Sequence, residues 1–125
     1  DRGRADVLLL RLALAAKATG DARAAGWTRE LAARFDAAHA RGDRTHEKEE
    51  ARFALALQGD AKRALALARS NFAVQKEAAD ARVLLEAALA ARSRTDAAPA
   101  LDWLDSNGVE SVVLRELAAK LRALP

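Results

Sequence analysis

The segment Gln58-Gly59-Asp60-Ala61-Lys62-Arg63-Ala64-Leu65-Ala66-Leu67-Ala68 sets a Gly-Asp turn directly ahead of an Ala-Leu helical run. Glycine can close one helix by adopting positive φ, and aspartate can accept the free N–H groups that open the next. Gly20-Asp21 and Gly42-Asp43 repeat the punctuation. Helices joined so tightly fold back on each other, and each hairpin leaves an apolar face that a neighbour must cover. The spacing therefore predicts stacked antiparallel hairpins.

Composition supports an all-α chain. Hydrophobic residues make up 51% of the sequence, mostly Ala and Leu, while the β-branched and aromatic residues that a sheet needs are scarce. At 125 residues, one domain covering 1–125 is expected. There is no cysteine, which excludes disulfides and thiolate metal sites and leaves the redox compartment open. The 21 basic and 18 acidic residues are interspersed, giving a net charge of +3 with no basic stripe; nucleic-acid binding is therefore not expected. The longest apolar run, 7–16, is interrupted by Arg11 and falls short of the ~20 residues that span a bilayer, so membrane insertion is not expected and the chain reads as soluble. Opening on Asp1, with no Met anywhere, it reads as a segment of a longer protein, and the compartment, bacterial cytoplasm or periplasm, stays open.

Periodicity and punctuation give seven helices. The first, over 4–19, carries Val7, Leu8, Leu10, Leu12 and Leu14, an apolar surface wide enough to pack on two sides. The second, 22–41, has Trp27 and Phe35 as core anchors and Asp21 to open it. The third starts after Gly42, capped by Asp43 or Thr45, and ends at Gln58. The fourth and fifth cover 61–75 and 78–92, rich in alanines that permit close approach. The break between them has no Gly or Pro, with Asp80 as one cap. The sixth restarts at Ser93-Arg94-Thr95-Asp96, with Pro99 in or near its first turn, and closes at Asn107-Gly108. The last, 111–124, is a capping helix.

Residues 45–78 resemble a tetratricopeptide repeat, a 34-residue helix-turn-helix unit: Ala51 and Leu55 in the first helix, Gly59-Asp60 at the turn, then Ala64-Leu65 and Ala68. In 79–108, Leu85 and Leu89 match Ala51 and Leu55, and Ala100-Leu101 matches Ala64-Leu65. Residues 6–44 resemble a stretched first unit, since Gly20 and Gly59 lie 39 positions apart. Residues 109–125 then cap the stack. The pattern departs from the family where aromatic residues are expected, with Lys48 and Leu55 or Arg82 and Leu89 instead, and where Lys76 replaces a late proline. The chain resembles the C-terminal part of a larger bacterial tetratricopeptide-repeat protein. The resemblance implies a right-handed superhelix and a noncatalytic interaction or scaffold module, holding a peptide or helix of a protein partner in a shallow, mostly apolar concave groove. Groove-facing positions so implied are Val7, Leu10 and Leu14, then His46, Glu49, Phe53 and Leu57, then Asp80, Val83 and Ala87. With so few repeats, the same positions can equally be core. The alternative is a structural end-piece that self-associates through its alanine-rich face.

Catalytic signals are sparse. His46 and Glu50 lie one turn apart and could chelate a metal if Asp43 or His39 joined them, which would make a helical metal-dependent enzyme the remote alternative. The plainer reading of His46-Glu47-Lys48-Glu49-Glu50 is a solvated, acid-rich helix start. No serine sits in an elbow-type glycine motif, and no Gly-Asp turn is followed by the Lys-Ser/Thr pair of a phosphate loop. The chain is expected to be no enzyme and to take no cofactor. Asn71, in an apolar phase of the fourth helix, is expected to bond across a helix pair or to a loop carbonyl.

Overall fold

The computed structural model describes residues 2–125. Among them the protein is all-α: α1 (Arg2–Thr19), α2 (Ala24–Ala40), α3 (Glu47–Ala56), α4 (Ala61–Val74), α5 (Ala78–Ala90), α6 (Arg94–Asn107) and α7 (Val112–Arg122). Successive helices pair, α1 with α2, α3 with α4 and α5 with α6, and α7 returns to pack on α5. The first helices of the pairs also meet, α1 on α3 and α3 on α5.

The Gly-Asp turns act as helix punctuation. Gly20 (φ 72°) and Gly59 (φ 64°) take the left-handed conformation. After Gly20, the Asp21 N–H donates back to the Ala16 carbonyl at 2.8 Å, which satisfies the end of α1. Asp60 is the N-cap of α4 and accepts the Arg63 N–H at 3.0 Å. Asp21 and Asp43 do not cap in this way. Each accepts the N–H two residues on, from Arg23 at 2.9 Å and Thr45 at 3.0 Å, so the N-caps of α2 and α3 are Arg23 and His46. Five helices end short of the expected boundaries: α2 at Ala40, α3 at Ala56, α4 at Val74, α5 at Ala90 and α7 at Arg122.

The α5 and α6 helices start where expected, but their first turns are built differently. The α5 helix is capped by Glu77, with Asp80 three residues in, where its carboxylate accepts the Glu77 N–H at 3.1 Å in a capping box. Pro99 is the sixth residue of α6, beyond its first turn, so the helix forgoes the bond an N–H there would give to Thr95. Ser93 and Ser111 cap α6 and α7, accepting from Asp96 N and Leu114 N at 3.3 Å.

Two apolar cores form. The smaller joins Leu9, Leu10 and Ala13 of α1 to Leu31 and Phe35 of α2 and Phe53 of α3. The larger runs through α3 to α7, built on alanines such as Ala51, Ala64, Ala68, Ala81 and Ala88 and filled by Phe72, Leu84, Leu104 and Leu121. The α1 helix meets both α2 and α3, and its remaining face leaves Leu8 57% and Leu12 45% exposed. No helix is long and apolar enough to cross a membrane among the described residues.

Candidate functional site

Because α1, α3 and α5 line up through mutual contacts, their outward ridges enclose a groove of about 540 Å³. Residues at helical spacing build it: Val7, Arg11 and Leu14 from α1; Lys48, Arg52 and Leu55, beside Glu49 and Ala56, from α3; Ala79, Arg82, Val83 and Glu86 from α5. Val83 is buried, Val7, Leu14 and Leu55 are half-buried, and the guanidinium-bearing Arg11, Arg52 and Arg82 are exposed. The floor is thus aliphatic and the rim cationic. Arg82 lies 3.6 Å from Glu86 one turn on, and Lys48 reaches within 3.9 Å of the buried Asp80. The side chains of Arg11 and Arg52 make no ion pair or hydrogen bond among the described residues.

Of the ten positions expected in the groove, the structure brings Val7, Leu14, Glu49 and Val83 into it. Leu10 and Phe53 turn instead into the smaller core, 1% and 0% exposed, and Leu57 packs against that core. Ala87, fully buried, belongs to the larger core. Neighbouring positions on a helix point about 100° apart, so the stripe that faces the partner helix and the stripe that faces the groove lie side by side. Asp80 lies inside the helix packing, where its carboxylate accepts from Asn71 Nδ2 at 2.8 Å. Asn71 therefore bonds across the α4–α5 pair, as its apolar setting implied. Sequence reasoning missed the groove cations Arg11, Arg52 and Arg82, although Arg11 stands between Val7 and Leu14 at helical spacing, Arg52 between Lys48 and Leu55, and Arg82 between Ala79 and Glu86, which was the available signal.

His46 lines a different, smaller cavity of about 180 Å³ between the end of α2 and the start of α3, near His39, Arg44, Glu47 and Glu50. The solvated reading of this helix start is corrected here, because Glu47 and Glu50 are buried. His39 Nε2 sits 2.8 Å from Glu50 Oε2, which also takes the Arg63 guanidinium. The Ser70 hydroxyl donates to Glu47 at 2.8 Å and accepts from Arg44 at 2.9 Å. These carboxylates tie α3 to α2 and α4. Asp43 is engaged elsewhere: the Thr45 N–H, then its hydroxyl, holds that carboxyl below the ordinary range. Among the described residues, no three His, Asp or Glu side chains are grouped to hold a metal ion.

Comparison with models of protein families, with curated proteins and with solved structures gives no match to this chain.

Proposed function

We propose that this chain is a noncatalytic protein-interaction module, a tetratricopeptide-like stack forming a right-handed superhelix, which holds a peptide or helix of a partner protein in the groove between α1, α3 and α5. The observation that carries this reading is that the first helices of three consecutive hairpins all line one groove with an aliphatic floor. Apolar side chains of a ligand can be desolvated on Val7, Leu14, Leu55 and Val83 without unfolding either core, and ligand grooves between helices work in this way. The paired state of Glu50, His39 and Arg63 supports a structural role for the most histidine- and acid-rich part of the chain. The test is selection of peptides from a displayed library on the wild-type chain, followed by binding to Ala79→Trp. Ala79 is exposed and lines the groove, so the indole fills it without entering a core. Selected peptides are expected to lose at least about tenfold in affinity, a loss of about 1.4 kcal/mol; undiminished binding would place their site elsewhere.

A second reading, a structural end-piece that self-associates, is favoured by one observation: Leu8 and Leu12, one turn apart on α1, stand uncovered. Sedimentation equilibrium separates the two. A monomer that remains monomeric at high concentration removes this reading, whereas a dimer dispersed by Leu8→Glu supports it.

A further inference from the structure

We propose that the ligand of the α1–α3–α5 groove is an acidic amphipathic helix, whose apolar face lies on the aliphatic floor and whose Glu or Asp flank lies against Arg11 and Arg52. This rests on the groove being the binding face and adds the chemistry of the partner.

The case begins with the pairing of charges. Several arginines of this chain are already engaged: Arg34 with Asp6 and Glu30, Arg63 with Glu50, Arg69 with Asp96, Arg122 with Asp105. Arg11 and Arg52 stand on neighbouring helices, line the same groove, and have no such partner among the described residues. Guanidinium groups present planar, forked donors that match carboxylates bidentately. Lys48 and Arg82 add positive charge to the same lining, against the carboxylates of Glu49 and Glu86. The surplus is positive, and its unpaired part lies on the α1–α3 side, since Arg82 is held by Glu86 and Lys48 leans toward Asp80.

The remaining lining selects a peptide over nucleic acid. A phosphate backbone carries charge at every nucleotide and would meet Glu49 and Glu86 along with the arginines. No aromatic side chain lines the groove for a base to stack on. A helix, by contrast, can place carboxylates on one flank only and offer aliphatic residues at i, i+3 and i+4 to Val7, Leu14 and Val83.

The experiment uses three fluorescent peptides of about 15 residues, long enough to hold a helix, sharing one leucine face and carrying Glu, Gln or Lys along the flank. Anisotropy gives affinity, and amide NMR shifts of Val7, Leu14 and Leu55 give location. The Glu peptide is expected to bind at least about tenfold tighter than the Gln peptide, with the advantage shrinking as salt rises. In the doubly charge-reversed variant Arg11→Glu/Arg52→Glu that advantage should vanish and the Lys peptide should gain. Both arginines are exposed, and circular dichroism checks that the variant keeps its fold. Equal binding of Glu and Gln peptides, with shifts in the groove, overturns the acidic partner and leaves the groove reading standing. No shift in the groove with any peptide overturns both. A single-stranded RNA that shifts the same amides and loses binding in the variant reassigns the surface to nucleic acid and likewise overturns the proposal.

Discussion

The first hairpin and the α3–α7 body are built from the same kinds of residue but held together differently. In the body, Ala64 and Ala68 of α4 and Ala81 and Ala88 of α5 are buried in one cluster, small residues permit helices to pack closely, and one core runs through five helices. In the hairpin, the core relies on a few large side chains, Leu9, Leu10, Leu31 and Phe35, and it reaches the body through Phe53 of α3 and Leu57 just beyond the end of that helix. Between α2 and α3 the joint is made by side chains: Phe35 and Phe53 with ring centroids 5.2 Å apart, and His39 on Glu50. Small residues produce continuity, and large ones produce a joint. The groove straddles that joint, since α1 supplies one wall and α3 and α5 the others. A groove that crosses a seam can adjust its width by small motions of one hairpin, with local opening that costs less than global unfolding.

The strongest way to break the contrast is Phe53→Ala. Phe53 is fully buried, and removing such a ring costs about 3–5 kcal/mol. Hydrogen exchange should show α1 and α2 amides losing protection while those of α4 and α5 keep theirs, and thermal unfolding should split into two steps. A single transition at lower temperature would show that hairpin and body are one cooperative unit.

Asp80→Ala applies the complementary test inside the body. The carboxylate caps α5 through the Glu77 N–H and satisfies the buried Asn71 amide, so its loss removes a cap and orphans a donor, costing about 2–3 kcal/mol. Here all of α3–α7 should lose stability together, and the hairpin should follow only because its floor, Phe53, belongs to α3. Retained protection in α6 and α7 would contradict a continuous body core.

Arg92→Gly acts in the opposite direction. Arg92 holds φ 55° at the end of α5, and the Ser93 N–H donates to the Ala88 carbonyl at 2.9 Å, the same closure that glycine makes after α1. Left-handed backbone costs a residue with a side chain about 1–2 kcal/mol, so glycine should stabilise the body by about 1 kcal/mol once its greater unfolded entropy is subtracted. Chemical denaturation should show a higher midpoint for the body and an unchanged local opening of α1 and α2.

Arg92 also shows where sequence reading reaches its limit. Turns marked by Gly-Asp or Asn-Gly are legible because a left-handed residue is nearly always glycine, and α5 ends two residues before its expected boundary because an arginine does the same work there. The first two hairpins follow from Gly20-Asp21 and Gly59-Asp60, whereas the α5–α6 turn carries no glycine. The site was half legible. Helical spacing identifies Val7, Leu14 and Val83, yet it cannot say which of two adjacent stripes meets a neighbouring helix, and Leu10, Phe53 and Ala87 fall on the other one. Glu47 and Glu50 read as solvated because the groups that bury and pair them, His39, Arg63 and Ser70, come from other helices. Side-chain partners across a fold are invisible to a period.

The smallest expected effect separates two Gly-Asp turns that look alike in sequence. Asp60 caps α4 by accepting the N–H three residues on, whereas Asp21 accepts from Arg23 two residues on and is gripped by the Arg23 guanidinium at 2.7 Å. That side-chain bond first, and the backbone bond second, lower the Asp21 carboxyl to about 2 from 3.8. A depressed folded value means that the ionised form favours the native state. The contribution is therefore fully present above about 4 and is lost as pH falls through about 2. Being exposed, the pair is screened by water and salt, so the effect is small. Asp21→Asn keeps an acceptor for the Arg23 N–H and removes only the charge. The midpoint difference between wild type and this variant should be constant above pH 4 and close toward pH 2. A difference that does not vary with pH would assign the turn's stability to its geometry, leaving the hairpin's tightest surface ion pair without energetic weight.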